Sequence, residues 1–258
     1  MIKLAGVTKK YDDLVAVDDL TLEVAGGEIF GFIGPNGAGK TTTIKMLAGL
    51  LRPSAGLIEI DGKDIASLPE ETKRILGYIP DTPYLYETLS AREFLTFVGK
   101  IYGLTARDTE ARMQTLFAYF GMDGWAHLRA EEYSHGMRQK VVISSALLHE
   151  PRVLVVDEPM VGLDPQSAKK VKELFKAKSR EGTTVFLSTH TLSVAEELCA
   201  RIGVIHKGKL IACGTVEALR RESGSGSRSL EELYLELTES SGHSSSEGSP
   251  GFEQRPLG

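Results

Sequence analysis

Cysteine is scarce: the 258 residues contain two, Cys199 and Cys213. They lie far apart and fit no metal-ligand spacing, which argues against a disulfide, a redox pair or a zinc site. Both are expected to pack as small buried hydrophobes. A long apolar run is missing too. No stretch approaches the roughly 18–20 residues needed to span a bilayer. The opening "MIKLAGVTKKYDD" lacks the apolar core of a signal peptide, so a cytoplasmic protein is expected. An excess of positive charge is also absent. Thirty Lys and Arg face 35 Asp and Glu, for a net charge of −5. That argues against nucleic acid as a partner, because such proteins carry a basic footprint. The remainder is ordinary: 41% hydrophobic and 25% charged residues suit a globular chain with one large domain or two modest ones.

Against that background, "IFGFIGPNGAGKTTTIKMLAGL" stands out. Its residues 34–41 fit G-x-x-x-x-G-K-[ST], a phosphate-binding loop. An apolar run (Ile29, Phe30, Phe32, Ile33) enters the loop as a buried strand would, and a helical segment over 42–51 leaves it. Glycines let the backbone wrap closely around phosphates, and the helix N-terminus adds fixed positive potential. Gly34, Pro35, Asn36, Gly37, Ala38, Gly39, Lys40, Thr41 and Thr42 are therefore candidate nucleotide contacts. Lys40 is expected to reach the β- and γ-phosphates, with the Thr41 hydroxyl on Mg²⁺.

The rest of the chain reads as alternating strands and helices. Residues 1–30 read as strands with turns, and Asp61-Gly62 between apolar residues signals a hairpin. Ser90-Ala91-Arg92-Glu93 is a capping box. Behind it, Phe94, Phe97, Val98, Ile101 and Tyr102 keep helical spacing, and a second helix carries Leu116, Phe117 and Phe120. After residue 135 apolar strands alternate with helices, which predicts a largely parallel sheet covered by helices. Residues 221–229 ("RESGSGSRS") have linker composition. Leu230, Leu233, Tyr234 and Leu237 form a short amphipathic stripe over 230–238. The tail over 239–258 is too polar to bury apolar area and is expected to be disordered.

"VLVVDE" delivers Asp157 and Glu158 at the C-terminal end of a strand, where open α/β sheets bind ligands. Asp157 suits a Mg²⁺-binding carboxylate, and Glu158 suits a general base for water.

"YSHGMRQKVVISSALLHEP" precedes that strand and resembles the signature motif of ATP-binding cassette (ABC) ATPases. The order of the other motifs agrees over about residues 1–220. Tyr11 in "KKYDDLVAVDDLTLEV" stands where the family stacks adenine. "GYIPDTPYLYETLSARE" resembles the Q-loop, "GLDP" the D-loop, and His190 in "FLSTH" the switch histidine. The stretch around "LEELYLELT" is similar to the end of cassettes serving ABC-2-type exporters. The resemblance implies an α/β fold: a P-loop NTPase core, an antiparallel β-lobe, and an inserted helical lobe over about 88–140. It implies ATP and Mg²⁺ as ligands, with Glu158, His190 and Lys40 catalytic. Ser134, Gly136 and Asp164 would reach nucleotide held by a second ABC ATPase subunit. An integral membrane permease subunit would be the other partner, with this chain peripheral at the cytoplasmic side. The competing class is a soluble ABC-type ATPase acting on a non-transport partner. Known translation-factor versions carry two cassettes and DNA-repair versions a long coiled coil; this chain reads as one cassette without a coiled coil.

Two departures from the family pattern are visible. Asp81 replaces the Q-loop glutamine; its carboxylate is expected in the Mg²⁺ shell. In the signature, His135 stands where glycine is common and Met137 where glutamine is common.

Overall fold

The computed structural model describes residues 1–222 and 230–243. Strands β1 (Ile2–Tyr11) and β2 (Leu14–Val24) form an antiparallel pair, and β3 (Ile29–Ile33) runs into the phosphate loop and α1 (Lys40–Leu47). β4 (Ala55–Ile60) and β5 (Lys63–Asp64) form the expected hairpin, with Asp61 at φ 54 and Gly62 at φ 74. Then α2 (Pro69–Arg74) leads to β6 (Leu76–Ile79). The helical lobe follows: α3 (Ala91–Ile101), α4 (Ala106–Phe120), and α5 (His135–Leu147). Ser90 caps α3 as a full capping box with Glu93. The second half alternates β7 (Val153–Asp157), α6 (Pro165–Arg180), β8 (Thr184–Thr189), α7 (Leu192–Leu198), β9 (Arg201–His206) and β10 (Lys209–Gly214). Helices α8 (Val216–Glu222) and α9 (Leu230–His243) complete the described chain.

Two sheets result. One is antiparallel, in the order β2-β1-β4-β5. The other is ordered β10-β9-β3-β8-β7-β6 and is parallel throughout except for the β9-β10 hairpin. The parallel strands read as continuous apolar runs because both faces are covered. Phe30, Phe32, Val153, Val155 and Phe186 pack on one face against α1 and the antiparallel sheet. Ile29, Ile33, Leu154, Val156, Val185 and Leu187 pack on the other, with α6, α7 and the helical lobe. Phe175 of α6 is fully buried there; truncating such a side chain to alanine costs about 3–5 kcal/mol. The two cores clamp β3 and β7 from both sides. Their C-terminal ends, which carry the phosphate loop and Asp157, are thereby held rigidly.

Three expectations change. Cys213 is exposed, whereas Cys199 is buried; Cys213 lies on β10, the edge strand of its sheet. Helix α9 continues to His243, five residues past the expected end at 238. Its anchors Leu230 and Leu233 are buried, and a helix nucleated by packing extends at little cost per residue. Residues 221 and 222 close α8 rather than open a linker. The rest of that linker, and the tail over 244–258, lie outside the described residues.

Candidate functional site: a phosphate loop beside two carboxylates

The loop after β3 ends at Gly39, which takes φ 108 as the N-cap of α1 and offers no side-chain cap. A Cβ at Gly39 would come within 2.5 Å of the Ala16 carbonyl oxygen, so only glycine fits. The first-turn N–H groups of α1 therefore have no side chain competing for an anion. The Lys40 ammonium donates to the carbonyls of Gly34 (2.7 Å) and Pro35 (3.1 Å). Burial lowers the Lys40 pKa, and the charges of Glu158 and Asp157 oppose that shift. Both carboxylates thus lie within electrostatic reach of the loop's cation.

Asp157 ends β7 and is buried. Its Oδ1 accepts from the Ser188 hydroxyl of neighbouring β8, while Oδ2 has no hydrogen-bond partner among the described residues. Burial raises its pKa, the Ser188 hydrogen bond and the nearby Thr41 hydroxyl lower it, and the charges of Asp81 and Glu158 raise it again. Thr41 and Asp81 therefore share the neighbourhood of this carboxylate. Asp81 itself is exposed on the loop after β6 and accepts from the Thr82 amide at 2.7 Å. Among the described residues no three His, Cys, Asp or Glu side chains cluster as an all-protein metal cage. One or two carboxylates and a hydroxyl are what Mg²⁺ requires when phosphates complete its shell.

Glu158 sits just past the strand at φ 47, with its amide donating to the Ser188 carbonyl at 3.1 Å. Its carboxylate is clamped at both oxygens. Oε2 accepts from the Thr189 hydroxyl at 3.1 Å. Oε1 accepts from the His190 amide at 2.8 Å and lies 2.7 Å from His190 Nδ1. A carboxylate oriented in this way can take a proton from a water on its open side.

Beside the loop lies a cleft of about 500 Å³, lined by Tyr11, Asn36, Gly37, Gly39, Lys40, Thr41 and Thr42. Tyr11 is partly exposed at its edge, with the Lys9 ammonium 5.2 Å from the ring centroid. Leu14, Val15, Ala16, Lys207 and Gly208 complete the wall. Sequence marks Lys207-Gly208 only as a turn between two strands and assigns none of these five to the nucleotide site. The turn at 207–208 arrives from the far end of the chain and is pinned by Gly208 N–H donating to the Ala38 carbonyl at 2.9 Å. No local pattern announces such a wall.

Ser134, Gly136 and Asp164 do not line this cleft. Ser134 caps α5, accepting from the Met137 amide at 3.3 Å. Asp164 caps α6, accepting from the Ser167 amide at 2.9 Å. The Ser167 hydroxyl and amide hold its pKa low. The two caps are joined by packing: a Cβ on Gly136 would meet the Gly162 carbonyl oxygen at 3.5 Å.

Residues 17–161 match the family model described as ABC transporter. The linearmycin resistance ATP-binding protein LnrL of Bacillus subtilis (strain 168) is 39% identical over 215 residues, 83% of this chain and 69% of that protein. A solved ATP-binding subunit of an ABC transporter superimposes with a TM-score of 0.88 at 38% identity, over 92% of this chain and 99% of that one. A dimeric ATP-binding cassette in a post-hydrolysis state, bound to ADP and phosphate, superimposes with a TM-score of 0.77 at 25% identity, over 84% of this chain and 99% of that one. With the phosphate loop, the paired carboxylates and the signature helix all in place, the chain belongs to the ABC transporter family, as an ATP-binding subunit that hydrolyses ATP.

Proposed function

We propose that the chain binds Mg²⁺-ATP in the cleft beside Tyr11, closes against a second cassette, and uses hydrolysis to drive a membrane permease in export. The observation that carries this reading is that the phosphate loop with Lys40 follows β3 while Asp157 ends β7 with Glu158 next in the chain, and both strands pair in parallel with β8. One site thus holds a phosphate-binding cation, a metal-binding carboxylate and a base. Export is supported by the resistance function in the name of LnrL.

The residues divide the work. Tyr11 offers a flat face to the adenine ring. The amides of residues 34–42 and the Lys40 ammonium hold the phosphates. The orphaned Asp157 Oδ2, the Thr41 hydroxyl and the nearby Asp81 carboxylate suit a hard cation. When bound there, Mg²⁺ neutralises charge on the β- and γ-phosphate oxygens. Glu158 takes a proton from water as the water oxygen bonds to the γ-phosphorus. The bond from that phosphorus to its bridging oxygen breaks, and ADP leaves with the electron pair. His190 holds the Glu158 carboxylate in line and turns its other ring nitrogen outward to the γ-phosphate. Ser134, Gly136 and Asp164 face the second cassette.

The ATPase unit is taken as residues 1–220, with residues 88–140 as the helical lobe. No helix among the described residues is long and apolar enough to cross a membrane, so the transport pathway is assigned to a separate permease. The chain is placed on that permease's cytoplasmic side.

Glu158→Gln is the direct test. The carboxamide keeps the shape and cannot take a proton. ATP affinity is expected to hold, turnover to fall roughly 10²–10⁴-fold, and ATP to trap a dimer visible by size exclusion. Full turnover by this variant would remove Glu158 as the base.

A further inference from the structure

The first turn of α5 lies against residues 159–163, the loop that joins Glu158 to the α6 cap at Asp164. Two hydrogen bonds tie them. His135 Nε2 is 3.3 Å from the Val161 carbonyl oxygen. The Gln139 amide nitrogen donates to the Pro159 carbonyl at 3.4 Å inside the protein. In addition, Lys140 lies within electrostatic reach of Asp164.

The fit is closest at Gly162, which adopts φ 76. A Cβ there would come within 2.1 Å of His135 Cδ2 and 2.5 Å of Nε2. The imidazole therefore fills the volume a side chain at 162 would need. The loop's own hydrogen bonds are few and stretched: Val161 N–H donates to the Glu158 carbonyl at 3.2 Å and Leu163 N–H to the Met160 carbonyl at 3.3 Å. A glycine-containing loop so lightly held samples many conformations unless something braces it. The glycine common at position 135 in the family pattern has no ring and makes no such brace.

We propose that His135 is a positioning residue that fixes the loop 159–163 by donating Nε2–H to the Val161 carbonyl and packing on Gly162, so that Glu158, Ser134 and Asp164 move as one unit. The inference rests on the reading that Glu158 is the base and that Ser134 and Asp164 face the second cassette. His135 touches no reacting atom. It acts through the loop, and its removal should change turnover rather than nucleotide binding.

The test uses the full chain with His135→Ala, His135→Gln and Gly162→Ala. Equilibrium binding of a fluorescent ATP analogue, turnover at saturating ATP and amide exchange of residues 160–163 are compared. His135→Ala is expected to keep ATP affinity within about twofold while kcat falls roughly tenfold or more, because small misplacements of a catalytic group are costly. Exchange in the loop should accelerate. His135→Gln, whose carboxamide can still donate to Val161, should restore most of both. Gly162→Ala should reproduce the kcat loss with the ring still present, since its methyl displaces the imidazole. Wild-type kcat and exchange in His135→Ala would overturn the proposal, as would a parallel loss of ATP affinity. A failure of the underlying reading looks different: full turnover by Glu158→Gln would dismiss the base, while the exchange measurement would still report on the brace.

Discussion

His149, just past the end of α5, sits in an environment that opposes its charge. Its ring stacks on Tyr102 with centroids 3.7 Å apart, and Nε2 lies 3.2 Å from the Leu76 carbonyl. Nδ1 is buried without a partner among the described residues. Burial pushes the pKa down to about 4, against the pull of the Leu76 hydrogen bond, and the Arg112 charge lowers it further. An unfolded histidine titrates near 6.5. Between about 6.5 and 4 the unfolded chain holds a proton that the folded chain refuses. The contribution to stability is therefore complete above about pH 6.5, shrinks as pH falls, and is gone below about pH 4. By pH 5 the loss amounts to about 2 kcal/mol. His149→Phe keeps the stack and removes the titration. Its melting temperature is expected to fall less between pH 7 and pH 5 than that of the wild type. Equal acid slopes for the two proteins would refute this assignment.

At the scale of elements, the segments legible in sequence are those whose signals are local. The strand, loop and helix over 29–47 were readable because apolar strand, glycine turn and Lys-Thr follow one another. The capping box at Ser90 is equally local, and it carries a prediction. Ser90 Oγ accepts from the Glu93 amide at 3.2 Å, and Glu93 Oε2 accepts from the Ser90 amide at 2.9 Å. Ser90→Ala removes one arm of that reciprocal cap and should cost about 1 kcal/mol, lowering the melting temperature by about 2–4 °C. A melting temperature unchanged by thermal denaturation would show that the cap is redundant. Elements defined by distant neighbours were not legible. Cys213 is exposed on β10 at a sheet edge, and sequence alternation does not encode strand order. The turn at 207–208 joined the cleft wall for the same reason, because its partner Ala38 lies at the other end of the chain. His135 was visible as an unusual residue in the signature, yet its partner Val161 became evident only in three dimensions.

For the whole molecule, the separation between the cleft and the signature helix sets the kinetics. Tyr11, Lys40 and Thr41 line one cleft, while Ser134, Gly136 and Asp164 sit outside it. If each cassette supplies one half of a site to its neighbour, a two-fold dimer has two composite sites, each drawing on both chains. Lys40→Ala then lacks the nucleotide half, and Ser134→Arg lacks the signature half through its bulk and charge. Either variant alone should be inactive, since every composite site in its homodimer is broken. An equimolar mixture pairs at random, so about half of the dimers are mixed. Each mixed dimer has one site with both halves intact and one with neither, so about a quarter of wild-type turnover should return. Turnover of the wild type should also rise faster than linearly with protein concentration until the dimer saturates. Full activity of Ser134→Arg by itself, with turnover linear in concentration, would instead place a complete site within one chain.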